Sequence, residues 1–181
     1  YGYQIEITLC SEPECKLVQV SEVPNGLKCG CTCPNCGHRL IARNRGTKTI
    51  HHFAHHKSSE CANAVETAIH HAAKEILLKH KRLILPAVTS KVGSNACKTV
   101  TLHKEQEIQF LNARLEQRTS DFIPDVILVA KNGKELLVEI AVTHFVDQPK
   151  TEKVRQLGIS MVQIDISKID RNISMETLEE E

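Results

Sequence analysis

The sequence predicts an α/β sandwich on a mixed β-sheet, preceded by a small Cys/His zinc module, and three features of the chain predict it. From Ala62 to Lys81 the apolar residues recur at helical spacing. Strand-like runs, a shorter helix and a last apolar strand follow in order. Ahead of the helix, residues 29–61 are rich in Cys, Gly and His and too poor in apolar side chains to fold on burial alone. At 181 residues the chain has the length of one ordinary domain with a small module attached. The change of composition divides it into residues 1–61, the N-terminal strands and zinc-binding module, and residues 62–181, the α/β core. It opens on Tyr1 and stops in Glu179-Glu180-Glu181 soon after a strand-like segment, as a fragment truncated at the C-terminus of its core would.

Residues Tyr3 to Leu9 alternate like a short strand, with Leu17 to Val20 as its partner. In the first helix Val65, Ile69, Ala72, Ala73, Ile76 and Leu77 form one apolar stripe, and Glu66, His70 and Lys74 lie four apart on the adjacent one. Pro86 ends this region. Strands are expected at Lys98 to His103, Glu107 to Arg118, Phe122 to Ala130 and Glu135 to Thr143. Pro149 suits the first turn, and Gly158 the C-terminal cap, of a helix from Pro149 to Leu157. Met161 to Ile166 reads as a last buried strand. Helix, three antiparallel strands, helix, strand is an order that builds a mixed sheet.

A net charge of +1 leaves no global basic field to draw a polyanion. Two local clusters, Arg39, Arg43, Arg45 and Lys48, and Lys74, Lys79, Lys81 and Arg82, fit a polyanion patch and an ordinary solvated surface equally well. With no signal peptide and no long apolar run, the chain is expected to be soluble and cytoplasmic, without a membrane partner. Its eight Cys then read as ligands or thiols rather than as a disulfide framework.

Cys33-Pro34-Asn35-Cys36-Gly37 is a knuckle-type turn: two thiolates at this spacing grip one tetrahedral ion, and the glycine lets amides turn toward the sulfurs. After a bend at Gly46 come His51-His52-Phe53-Ala54-His55-His56 and then Cys61, which completes a set of four zinc ligands. The expected set is Cys33, Cys36 and Cys61 with His55 or His52, which face opposite ways in an extended segment. Cys29 and Cys31 are alternatives in the same loop. Cys10, Cys15 and Cys97 read first as buried thiols, with a part in a second metal site as the alternative for Cys10 and Cys15.

Asp125 and Glu139 stand at the ends of two apolar strands joined by Lys131-Asn132-Gly133-Lys134. Acids in such strands are costly unless compensated, and a bound cation is a common partner. A three-residue loop with Gly133 left-handed pairs Ala130 with Lys134, Val126 with Val138, Ile127 with Leu137 and Leu128 with Leu136, and so sets Asp125 opposite Glu139. A two-residue Asn-Gly turn would put the two acids on opposite faces instead. With Glu66 from the helix, three carboxylates could converge on Mg²⁺ or Mn²⁺, which activate a water for attack on a phosphodiester.

Pro124-Asp125 and Glu139, in this order of elements, resemble the PD-(D/E)XK or restriction-endonuclease-like nucleases. Cys33-x-x-Cys36, His52-Phe53-Ala54-His55, the Glu66, His70, Lys74 stripe and Val138-Glu139-Ile140 more narrowly resemble the competence-protein CoiA-like nucleases, over residues 33–167. The resemblance implies a restriction-endonuclease-like core behind a structural zinc segment. It implies a metal-dependent DNA nuclease, with Asp125 and Glu139 on Mg²⁺ and Glu66 assisting. The motif lysine expected two residues after the second acid is replaced by Ala141. Lys150 or Lys153 on the following helix, or Lys74 on the first, could supply that cation, with His70, Thr143 and His144 as further polar groups. The implied partner is nucleic acid, DNA first, with a homodimer or further domains of a longer protein open. The alternative is a catalytically inactive nucleic-acid-binding or protein-interaction module on the same fold.

Overall fold

The computed structural model describes residues 7–10, 16–57, 61–92, 98–115, 123–171 and 173–180. β1 (Ile7–Cys10) pairs antiparallel with β2 (Lys16–Gln19), Leu9 opposite Leu17, and takes β3 (Cys31–Thr32) on its other edge. This is the expected first strand pair; residues 3–6 of the expected strand lie outside the described residues. β4 (Leu40–Arg43) and β5 (His52–His55) form a hairpin whose inner face buries Leu40, Ala42 and Phe53. Asn44 and Asn25 tie it to the preceding turns: the Asn44 amide donates to the carbonyls of Val20 and Val23, and the Asn25 amide to that of Ala42.

α1 (Ala64–His80) buries Val65, Ala68, Ile69, Ala72 and Leu77, the core of the apolar stripe, while Ala73 and Ile76 pack at its margin. It ends at Lys81, which turns left-handed at φ +51° and donates its amide to the Leu77 carbonyl. β6 (Arg82–Leu85), β7 (Val88–Val92), β8 (Lys98–His103) and β9 (Gln106–Gln109) then make two ribbons, β6 with β9 and β7 with β8. Neither β6 nor β7 is expected from the sequence, because Pro86, which reads as the end of the helical region, sits in the turn between them.

The single strand expected from Glu107 to Arg118 divides into β9 and β10 (Asn112–Leu115), and residues 116–118 lie outside the described residues, as does Phe122. The division falls at Phe110, whose buried ring and its amide bond to the Lys81 carbonyl (2.7 Å) anchor the chain to the end of α1. One residue on, the Leu111 amide bonds instead to Val129. β11 (Val126–Val129), β12 (Glu135–Ala141), α2 (Gln148–Gln156) and β13 (Ser160–Asp165) complete a four-stranded sheet in the order β10-β11-β12-β13. β11 runs antiparallel to both β10 and β12, and β13 is parallel to β12, so the sheet is mixed. Burial of Val126, Ile127, Leu128, Leu137 and Val138 explains why these strands read as continuous apolar runs. α2 starts at an Asp147 cap that accepts the Lys150 amide, with Pro149 in its first turn, and Gly158 follows it at φ +64°. A short α3 (Met175–Glu180), not expected from the sequence, closes the described chain.

One buried cluster runs through both halves, from Leu17, Leu40 and Phe53 through α1 to Leu128, Val138 and Ile166. No helix among the described residues is long and apolar enough to cross a membrane.

Candidate functional site

Two sites are built on this frame. The first is the Cys/His cluster. The Cys33 amide donates to the His38 carbonyl and the Gly37 amide to the Cys33 carbonyl, with Gly37 at φ +70°, which closes the knuckle turn. β5 brings up His55, and Cys61 arrives from the residues just before α1. Ligand atoms of Cys33, Cys36, His55 and Cys61 all lie within 4.8 Å of one another. Cys33 Sγ is 3.7 Å from Cys61 Sγ and Cys36 Sγ 3.3 Å from His55 Nε2. Three sulfurs and an imidazole nitrogen at this range fit zinc, a tetrahedral ion with a preference for such donors. Burial pushes the Cys33 thiol up to about 12. Burial also raises Cys36, but hydrogen bonds from His38, Cys33 and His55 outweigh it and lower that thiol to about 6. A bound ion would draw the proton from each thiol as it bonds.

The alternatives resolve in space. His52 turns its Nδ1 to the Ile50 carbonyl at 2.8 Å, away from the group that His55 joins. Cys29 and Cys31 are buried thiols bonded to the carbonyls of Leu40 and Cys29. Cys15 and Cys97 lie outside the described residues. Asn35, between the two knuckle cysteines, donates to Cys61 Sγ at 3.1 Å, a role that only its position inside the knuckle hints at.

The second site is the acid hairpin. The Gly133 amide donates to the Ala130 carbonyl and the Ala130 amide to the Lys134 carbonyl, with Gly133 at φ +80°. This is the three-residue loop, and the strands take the matching register, Val126 opposite Val138 and Leu128 opposite Leu136. One step further that register sets Asp125 opposite Glu139. His70 Nε2 lies 3.0 Å from Asp125 Oδ2 and Lys74 Nζ 3.1 Å from Oδ1, two groups one turn apart on α1. The Ile140 amide also donates to Oδ2, at 2.9 Å. Burial alone would raise the Asp125 carboxyl, but His70, the Ile140 amide and Lys74 hold it well below the usual carboxylate range. Glu139 moves the other way: burial, together with the Asp125 charge, pushes it up against the pull of Lys150. Lys150 Nζ stands 2.7 Å from Glu139 Oε1.

Glu139, Lys150, His144, Phe145, Asp147 and Gln163 line a cleft of about 240 Å³ beyond the end of β12, and Lys153 lies outside that lining. Gln163, paired with Glu139 across the parallel strands, accepts the Val146 amide and so shapes the loop of the cleft. Glu66 accepts a hydrogen bond from the Thr143 hydroxyl, with the exposed His144 Nδ1 at 3.6 Å. The expected convergence of three carboxylates differs from this arrangement. Among the described residues, the Cys/His cluster is the one group of three or more His, Cys, Asp or Glu donors within 4.8 Å of one another. The reason is the helical repeat: one and two turns past Glu66, His70 and Lys74 occupy the Asp125 carboxylate, and Glu66 faces the loop after β12.

Fold and sites together define a mixed α/β protein with a Cys₃His cluster whose donors could hold a metal ion and a lysine-compensated pair of acids on its central strands. Residues 22–64 match the family model described as Competence protein CoiA, N-terminal domain. The match covers the module around the cluster and stops where α1 begins, and it supports a CoiA-like relationship for that part of the chain. No curated protein and no solved structure matches the chain.

Proposed function

We propose that this chain is a metal-dependent nuclease of the restriction-endonuclease-like type that hydrolyses DNA phosphodiesters. The observation that carries the proposal is the hairpin register, which sets Asp125 and Glu139 side by side with a lysine on each. Supporting it are the element order, α1, three antiparallel strands, α2 and a parallel strand, and the CoiA-like match, whose name points to competence and hence to nucleic acid. Mg²⁺ and Mn²⁺ are commonly held by one or two carboxylates plus waters and substrate phosphate, so Asp125 and Glu139 suffice as protein ligands and Glu66 is not required. Burial first and the Asp125 charge second raise Glu139, and a bound cation would offset the repulsion between the two acids. When bound, the ion supplies a polarised phosphate and an activated water.

The chain's own residues do the rest. Lys74 and His70 keep Asp125 ionised and aimed at the hairpin. Lys150, at the wall of the cleft, takes the place left by Ala141 and meets the negative charge that develops on phosphorus. Thr143 holds Glu66 and His144 together at the rim. In the cluster, Cys33, Cys36, His55 and Cys61 would hold zinc as a structural ion that fixes the entry to α1.

The test is incubation with linear, circular and single-stranded DNA in Mg²⁺, Mn²⁺ or EDTA. Cleavage is expected with the divalent ion alone and lost in Asp125→Ala and Glu139→Ala. No cleavage in any condition overturns the proposal. One observation favours a second reading, a catalytically inactive nucleic-acid-binding module: both Asp125 oxygens already bond to His70, Lys74 and the Ile140 amide. Under that reading the two alanine variants bind DNA as the parent does, and no condition yields cleavage.

A further inference from the structure

Charge in this chain is segregated. From Val23 to Ser59 the sequence contains no Asp or Glu but six Lys and Arg, Lys28, Arg39, Arg43, Arg45, Lys48 and Lys57. The rest of the chain therefore carries 17 of the 23 cations against all 22 acids. Near-neutrality is a sum of a cationic module and an acidic remainder. Zinc on three thiolates and an imidazole would subtract only a single charge from the module.

The β4–β5 hairpin gives that charge a direction. Its inner face carries Leu40, Ala42 and Phe53 into the core and His55 toward the metal cluster. Alternation puts Ile41, Arg43, His52 and Ala54 on the other face, with Arg43 directly opposite His52. The His56 amide bonds to the Arg39 carbonyl at 2.9 Å, which adds Arg39 and His56 to the same row. Arg39, Arg43, Arg45 and Lys48 are all exposed, and among the described residues none of them meets a carboxylate. From Arg39 to Arg43 the strand advances about 13 Å, a length of duplex that carries roughly eight phosphates. Arginine forks suit phosphate oxygens, and the half-buried His52 and His56 on the same face bring no opposing charge.

From this we infer that the outer face of the β4–β5 hairpin binds the phosphate backbone of nucleic acid, with Arg39, Arg43, Arg45 and Lys48 as the contacts and the metal cluster as the brace behind it. The inference rests on the reading that the substrate is nucleic acid and assigns its docking surface. The face carries the sequence-independent part of binding, while the acid hairpin performs the chemistry.

Binding is measured without Mg²⁺ or Mn²⁺, by fluorescence anisotropy with a labelled DNA duplex and the matching single strand, over a series of salt concentrations. The combined variant Arg39→Gln/Arg43→Gln/Arg45→Gln/Lys48→Gln changes exposed side chains only, and zinc content equal to the parent's shows that the module is intact. Its affinity is expected to fall roughly tenfold or more, and its log affinity against log salt to flatten by about 0.9 per lost duplex contact, less for the single strand. The ribbon variant Lys91→Gln/Lys98→Gln/Lys104→Gln is expected to bind as the parent does. Parent affinity and slope in the hairpin variant, an equal loss in the ribbon variant, or no salt-dependent binding by the parent overturns the inference. Binding by this face without cleavage in Mg²⁺ overturns the nuclease reading and leaves the inference standing; cleavage with unchanged hairpin-variant binding does the reverse.

Discussion

Lys74 is the one buried charged side chain among the described residues, 4 % exposed, and its reason is Asp125. A half-pair left behind in such a place is costlier than the pair is beneficial. Lys74→Met is accordingly expected to lower stability by about 3 kcal/mol in urea unfolding, and Lys74→Met/Asp125→Asn to recover part of that loss. The pH dependence has a definite sign. The folded-state Asp125 carboxyl is depressed, so its contribution is complete above its unfolded value of about 4 and drains away as pH falls through the folded value. Glu139, raised in the fold, works oppositely, and its share declines as pH rises from about 4.3. Asp125→Asn is expected to flatten the acid limb of the stability curve followed by circular dichroism. The spacing of Glu66, His70 and Lys74 shows in the sequence, and so do both acids. Which of the three meets Asp125 does not, because it depends on the azimuth of α1 over the sheet, set by the packing of Val65, Ala68, Ile69 and Ala72 in the core.

Among the elements, the acid hairpin is the most legible, since its register follows from one glycine. Gly133 at φ +80° is where a side chain is strained, and Gly133→Ala is expected to cost about 1 kcal/mol while leaving the Cys/His cluster intact. Thermal unfolding with parallel zinc analysis checks both halves of that statement. The knuckle was equally legible, because ligand spacing is local; the histidine choice needed the strand geometry that turns His55 inward and His52 to Ile50. Cys36→Ser or Cys61→Ser is expected to abolish bound zinc, and full stoichiometry in either variant by atomic absorption refutes the ligand set. One strand of each ribbon, β8 and most of β9, is legible in the sequence. The partners β7 and β6 are not, for a physical reason: β7 has a mostly exposed face, so no burial pattern marks it, and β6 hides between a helix end and a proline.

For the whole molecule, the order of helix, strands, helix and strand could be read because each long apolar run is buried on both faces in β11 and β12. The two ribbons intervene between α1 and β10 without entering the four-stranded sheet. Replacing residues 88–103 by a short turn is therefore expected to preserve zinc content and a cooperative unfolding transition, with loss of the transition showing that the outer ribbon supports the core. Chain connectivity also imposes a timetable. The hairpin joins neighbours across a tight turn, the cluster closes over 28 residues from Cys33 to Cys61, and His70 meets Asp125 over 55. Loops close in order of length when other terms are equal, so the clamp on Asp125 belongs to the late side of the folding barrier. By that ordering the two acids are expected to meet across their hairpin before α1 brings His70 and Lys74 onto Asp125, so the pair forms first and its guard arrives last.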